Sequence, residues 1–281
     1  MNKYFKCMCI FGLLLLSQKV HSSEQTRKPY VIGTLEGQAG NIFFQIATAS
    51  ALAWDNDAEP YFPGLATLPT LYHHYFSRCK ITPPNEEISY HAGQTNDYSP
   101  IPYKPNMKTS GFFQSWKYFD HHRNRLLSLF APIKKDIGYI EKKFRDLLNS
   151  PNTVGIQIRY YMEEAPSFAQ FGRDYFEKAM NLFPKSSVFI VSSNNINFAK
   201  NEVPTDGRHV IFLEGEYPYI DFHLLTRCKH NIITNSTFGW WAAYLNQNPD
   251  KIVVCPAHWF GGYYPDIYPD SWIQIQADRI N

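Results

Sequence analysis

From Tyr30 onward, short apolar runs alternate with stretches whose apolar residues recur at helical spacing, and this alternation predicts the elements of the fold. Tyr30 to Thr34 reads as a strand, Glu36-Gly37-Gln38-Ala39-Gly40 as a tight glycine turn, and Asn41 to Trp54 as a helix. Residues 55–110 hold much of the proline among scattered aromatics, and read as irregular loops and short helices. Phe119 to Asn149 reads as two helices parted near Ala131-Pro132, because Leu126, Leu127, Leu129 and Phe130 form one apolar cluster and Ile140, Phe144, Leu147 and Leu148 another. Ser150-Pro151-Asn152 then interrupts the pattern.

Beyond that break the rhythm tightens. Thr153 to Arg159 reads as a strand, Asp174 to Phe183 as a helix, and Val188 to Val191 as a buried parallel strand. His209 to Leu213, Asn231 to Thr234 and Lys251 to Cys255 follow as strands, interleaved with helices over Tyr219 to Lys229 and Thr237 to Leu245. Such alternation means an α/β fold, a parallel sheet covered by helices on both faces. The interruption near Ser150 divides the chain into a domain over 29–150 and a domain over 151–281, the second with the clearer open-sheet pattern. A cleft between them is the expected ligand site. No internal repeat is present.

Residues 1–22 have a different layout. Lysines within Asn2 to Lys6 precede the apolar run Cys7 to Leu16, and Val20-His21-Ser22 offers a small-residue cleavage site, the three parts of a secretory signal. The run is shorter than the roughly 20 residues that span a bilayer, so export is the expectation; a short uncleaved anchor, with membrane association, is the alternative. In a eukaryotic source the expected destination is a Golgi-like lumen.

With 44% apolar residues, a net charge of +2 and no basic block, composition excludes a disordered chain and disfavours nucleic acid as a partner. Cys79, Cys228 and Cys255 fit neither zinc-ribbon nor redox spacing and read as buried free thiols or one optional disulfide. His73-His74 and His121-His122 are adjacent pairs rather than residues four apart on a helix face, so no metal site is expected.

Candidate chemistry lies where strands end. Gly37 and Gly40 allow a sharp turn and close approach of a ligand, and Asn41 and Gln45 are the polar residues of an otherwise apolar helix start, where they read as cleft groups or as an N-cap and a buried amide. Arg159 ends a strand, where its guanidinium either clamps a phosphate or pairs with Glu163 or Glu164; these two glutamates are candidate acid or base. Ser193, Asn194 and Asn195 follow another strand and read as groups for a base edge or sugar hydroxyls, or as turn and cap residues. Asn235, Ser236, Thr237 and Phe238 open a helix directly after a strand, a place suited to an anion. Asn235-Ser236-Thr237 is also a glycosylation sequon, expected to be buried and unmodified at such a junction.

In order and spacing these segments resemble the α-1,2-fucosyltransferases of glycosyltransferase family 11. The resemblance rests on Gly37-Gln38-Ala39-Gly40-Asn41-Ile42-Phe43-Phe44-Gln45, on Gly111-Phe112-Phe113-Gln114-Ser115-Trp116-Lys117-Tyr118-Phe119, and most specifically on Asp221 to Phe260 with Cys228-Lys229-His230-Asn231, Asn235-Ser236-Thr237-Phe238-Gly239-Trp240-Trp241 and Asn248-Pro249-Asp250-Lys251. It implies two Rossmann-like domains of the GT-B type facing across a cleft, the first on the acceptor side and the second holding GDP-fucose. It also implies a glycan acceptor, inversion at the fucose anomeric carbon and no required metal or other cofactor. Arg159 would then hold the β-phosphate, and Ser236, Thr237 and Phe238 would line the pyrophosphate. The family's His-x-Arg-Arg-x-Asp pattern stands here as Gln157-Ile158-Arg159-Tyr160-Tyr161-Met162, keeping only the first Arg, and its Ser-Asp-Asp or Ser-Asn-Asp stretch becomes Ser193-Asn194-Asn195. Glu163 or Glu164 is the candidate for the displaced acidic role, and a catalytically impaired glycan-binding or scaffold protein is the alternative reading.

Overall fold

The computed structural model describes residues 28–84, 88–93, 98–161, 168–259 and 266–280. The first part of the chain contains β1 (Tyr30–Gly33), α1 (Ala39–Asp55), β2 (Glu59–Tyr61), α2 (His73–Phe76), β3 (Tyr90–Gly93), β4 (Met107–Ser110), α3 (Arg123–Leu129), α4 (Lys134–Lys143) and α5 (Arg145–Asn149). The second contains β5 (Thr153–Ile158), β6 (Gln170–Phe171), α6 (Arg173–Met180), β7 (Val188–Ser193), α7 (Ile196–Glu202), β8 (His209–Phe212), α8 (Pro218–Leu225), β9 (His230–Ile233), α9 (Thr237–Leu245), β10 (Val253–Pro256), β11 (Ile273–Ile275) and β12 (Arg279–Ile280).

Two parallel sheets result. One has the strand order β2-β1-β4-β3 and the other β11-β10-β9-β5-β7-β8, while β6 and β12 form a separate antiparallel pair. At the centre of the larger sheet, β5 pairs with β7 and β9 and buries Val154, Ile156 and Ile158 completely, which explains its apolar alternation. The smaller sheet corrects the reading of residues 55–110 as loops and short helices. β2, β3 and β4 lie there, each three or four residues long and drawn from Glu-Pro-Tyr, Tyr-His-Ala-Gly and Met-Lys-Thr-Ser, sequences with little β-branched character. Pro60 is tolerated because β2 is an edge strand.

The helices do not follow the interruption at Ser150. Ile140 and Phe144, from the chain before it, pack with Val188, Ile190, Ile220 and Leu224 on the larger sheet. α9, from the chain after it, joins the aromatic core around α1. Both helices are apolar on nearly every face, the pattern of a helix enclosed on all sides. Phe44 meets Trp240 with ring centroids 4.5 Å apart, and Phe43 stacks between Phe222 at 5.0 Å and Trp241 at 5.3 Å. This contact fixes the two sheets relative to each other and aligns the starts of α1 and α9. The three cysteines among the described residues are free thiols, and burial pushes Cys79 and Cys228 up to about 12, so none is poised as a nucleophile.

Candidate active site

A cleft of about 1400 Å³ opens between the two sheets. On its first wall lie Gly37, Gly40 and Asn41 at the start of α1, with Phe112 and Gln114 from the loop after β4. On its second wall lie Gln157 and Arg159 at the end of β5, Ser193 and Asn194 at the end of β7, Asp221 on α8, and Ser236, Thr237 and Phe238 at the start of α9.

The two helix starts converge because glycine lets them. A Cβ on Gly40 would lie 2.4 Å from Thr237 Oγ1 and 2.5 Å from the Phe238 amide nitrogen, so only hydrogen fits there. Asn41 locks the approach: its Oδ1 accepts from Gln114 Nε2 and from the Thr237 hydroxyl, each at 3.1 Å. Asn41 is therefore a bridge inside the first turn; the N-cap position belongs to Gln38. Neither N-cap side chain, Gln38 or Ser236, bonds its own helix, and neither helix has an acid in its first turn. Two positive helix ends thus face one cleft without a carboxylate of their own to offset them.

Arg159 stands immediately beyond β5. Its amide donates to Thr234 Oγ1 at 3.1 Å and its carbonyl accepts from Gln170 Nε2 at 3.3 Å, so its main chain is held on both sides. Gln170 also accepts from the Tyr161 amide at 2.9 Å, and the Arg159 guanidinium lies 5.4 Å from the Tyr161 ring centre. Gln157, two residues earlier, is nearly enclosed, and its Oε1 has no hydrogen-bond partner among the described residues.

Several expected site residues have structural work instead. Asn194 spends both ends of its amide on Tyr160, accepting from its N–H at 2.7 Å and donating to its carbonyl at 3.0 Å. Asn195 is the N-cap of α7 and accepts from the Phe198 amide at 3.0 Å, outside the cleft lining. Asn235 is 1% exposed and donates to the Ala169 carbonyl at 2.9 Å behind the cleft wall, which also closes the sequon to modification in the folded chain. Gln45 lies beneath the cleft floor, where it accepts from the Glu36 amide at 2.9 Å while its Nε2 is buried without a partner among the described residues. Glu163 and Glu164 lie outside the described residues.

Asp221 is the cleft group that sequence reading passed over. Ser192 Oγ donates to its Oδ2 at 2.6 Å, while its Oδ1 is buried without a partner among the described residues. Burial pushes its pKa up to about 6, opposed by the Ser192 hydrogen bond and reinforced by the Glu216 charge. At neutral pH it is an ionised carboxylate with one oxygen that no described group satisfies. In sequence it is one acid inside an apolar helix, a pattern that ordinarily marks a solvent-facing position.

The site thus combines a guanidinium, two helix N-termini and a carboxylate in one cleft, a set suited to a pyrophosphate joined to an N–H-bearing ring. The sequence model described as glycosyl transferase family 11 matches residues 64–276. The chain belongs to this family. It is 34% identical over 181 residues to the O-antigen biosynthesis glycosyltransferase WbnK of Escherichia coli, covering 58% of this chain and 59% of that protein. To galactoside alpha-(1,2)-fucosyltransferase 1 of Bos taurus it is 30% identical over 239 residues, covering 75% of this chain and 64% of that one. The chain thus spans about six-tenths of the length of these curated relatives. The structure of the alpha-1,6-fucosyltransferase NodZ, co-crystallised with GDP, superposes with a TM-score of 0.52 at 13% identity, covering 77% of this chain and 92% of that one. At that identity the likeness is one of fold: two Rossmann-like units of the GT-B type across a cleft.

Proposed function

We propose that this chain is an inverting galactoside α-1,2-fucosyltransferase that moves fucose from GDP-fucose to the 2-hydroxyl of a terminal galactose on a glycan. The observation that carries the reading is the convergence of the α1 and α9 N-termini beside Arg159 in one cleft. As the bond from fucose C1 to the β-phosphate oxygen breaks, its electron pair stays on GDP. Arg159 and the first-turn amides of α9 meet that charge in the place that a metal holds in other transferases, so no metal is required. The galactose 2-oxygen bonds C1 from the opposite face and gives up its proton; Glu163 or Glu164 is the proposed base. Asp221 takes the guanine N–H groups, a role that Asn194 and Asn195 leave open because their amides are already engaged. Gln157 Oε1 is an acceptor for a donor hydroxyl. The first-wall residues Gly37, Gly40 and Asn41 frame the acceptor side.

A glycan-binding scaffold without donor affinity is the weaker reading, because it leaves two helix N-termini and Arg159 in one cleft without a task. The names of the family relatives support the donor and linkage, and the NodZ structure was crystallised with GDP. Incubating the protein with GDP-fucose and a β-galactoside, then reading product linkage and anomeric configuration by NMR, tests the proposal. An α-1,2-linked fucoside is expected, and a folded protein that neither binds GDP nor forms product overturns it. Glu163→Gln, Glu164→Gln together are expected to slow turnover, and undiminished turnover removes them from the proton step. Residues 1–22 support export by the secretory pathway, with association to a membrane if they are retained; a chain recovered from cytoplasm with Met1 intact overturns this. No helix among the described residues is long and apolar enough to cross a membrane.

A further inference from the structure

At the opposite end of α1 from the cleft, residues distant in sequence bring three metal-ligating side chains together. Asp55, the last residue of α1, meets the His121-His122 pair on the short helical turn before α3. His121 Nε2 lies 3.1 and 3.0 Å from the two Asp55 oxygens, and His122 Nε2 lies 2.7 Å from Oδ1. One ligand atom from each residue falls within 4.8 Å of the others. Adjacent histidines, which helix-face spacing had excluded as a metal site, aim both Nε2 atoms at one carboxylate because the turn that carries them is a tight 3₁₀ helix.

We propose that Asp55, His121 and His122 form a zinc-class divalent cation site that fastens the C-terminal end of α1 to the turn preceding α3. Zinc held by nitrogen and oxygen at about 2.0–2.1 Å in a tetrahedron sets its ligand atoms about 3.4 Å apart, so the imidazole nitrogens, now 2.7–3.1 Å from the Asp55 oxygens and all within 4.8 Å, need move only a few tenths of an ångström from the carboxylate to admit the ion. Binding exchanges each N–H···O contact for coordination through the Nε2 lone pair of a neutral imidazole that carries its proton on Nδ1, so a charged ring releases its Nε2 proton to solvent and a neutral one changes tautomer. Asp55 and His121 are about half exposed, so water completes the shell. The local field favours a cation: α1 ends on an acid with no basic residue in its last turn, which places the Asp55 charge beside the negative end of the helix. His122 is held in position by Trp54, whose ring it meets edge-on at 5.3 Å, and Arg125 covers Trp54 at 3.9 Å from the ring centre. The site lies outside the lining of the cleft, so its role is to anchor the long helix whose other end shapes that cleft.

Zinc titration of the full, tag-free chain in competition with a chromophoric chelator tests this. One equivalent is expected to bind, at least tenfold more weakly in His121→Ala and in Asp55→Asn. A parallel measurement on the unaltered chain, diethylpyrocarbonate labelling mapped by mass spectrometry, is expected to show His121 and His122 protected by zinc. Unchanged affinity in both variants, absence of a bound equivalent, or labelling of both histidines at the same rate with and without zinc overturns the proposal.

Discussion

Asn41 Oδ1 and the Thr237 hydroxyl are joined by a hydrogen bond of 3.1 Å that ties the first turn of α1 to the first turn of α9. The same oxygen accepts from Gln114, so one side chain couples three segments of the cleft wall. Asn41→Ala strands a hydroxyl and an amide donor, a cost of about 1–3 kcal/mol when the orphaned groups stay dry. GDP affinity is expected to fall on the order of tenfold, which calorimetric titration measures; an unchanged Kd means that the two helix starts hold their positions without the bridge.

Two glycines separate backbone crowding from side-chain crowding. A Cβ on Gly40 meets the Thr237 carbonyl carbon at 2.6 Å and the Phe238 nitrogen at 2.5 Å, both main-chain atoms, so α1 and α9 must part. The helix-propensity gain of Ala over Gly, about 1 kcal/mol, is outweighed by overpacking of about 1–3 kcal/mol. Gly40→Ala is therefore expected to lower the denaturant midpoint and to weaken GDP binding. Gly239→Ala meets first the Gln157 side chain, with Oε1 at 2.5 Å and Cβ at 3.1 Å, so a side chain rather than the backbone of the facing helix must give way. That variant is expected to keep its stability within about 1 kcal/mol, and equal losses in the two proteins would contradict the distinction.

Arg159 offers a planar fork of donors from a main chain held at both sides. Lysine replaces that fork with a point charge and cannot present paired N–H groups to two phosphate oxygens. Arg159→Lys is expected to lose about 10²–10³ in kcat, close to the loss in Arg159→Ala, with thermal stability little changed. Lysine restoring more than half of the wild-type rate would show that charge alone suffices there.

The central strands of the larger sheet were legible in the sequence because they are buried on both faces, as in the continuous apolar run Val188 to Val191 of β7, whereas β11, a partly exposed edge strand, was not. Of the smaller sheet only β1 was legible, because β2, β3 and β4 are short, β2 and β3 lie at its edges, and register comes from neighbours, β1 for β2 and β4, and β4 for β3. In the site, Arg159 and the Ser236 to Phe238 turn could be located from their strand-end positions. Asp221 and Gln170 could not: each is one polar residue in an apolar neighbourhood, and its significance comes from what tertiary packing sets beside it. Asn194 and Asn195 show the converse, since amides at a strand end suit a ligand and a turn equally well and here close the turn.

Asp221 gives the site a pH signature whose direction follows from its environment. Burial raises its pKa to about 6, so the carboxyl is mostly ionised at pH 7 and mostly protonated at pH 5. If its unpaired Oδ1 receives N–H donors of the nucleotide base, the ionised form binds and the protonated form does not. GDP affinity is then expected to be level above pH 7 and to fall about tenfold per unit below pH 6, with the slope abolished in Asp221→Asn. Stability runs the other way for this group: its folded pKa lies above the unfolded value, so its contribution is full below pH 3.8 and is lost as pH rises through about 6. Asp221→Asn should therefore remove an ionisation penalty from the unliganded fold at pH 7 while weakening GDP, and denaturation beside calorimetry on the same variant separates the two effects. A GDP affinity that stays level from pH 7 to pH 5 in the wild-type protein would remove Asp221 from base recognition and leave it a partner of Ser192 alone.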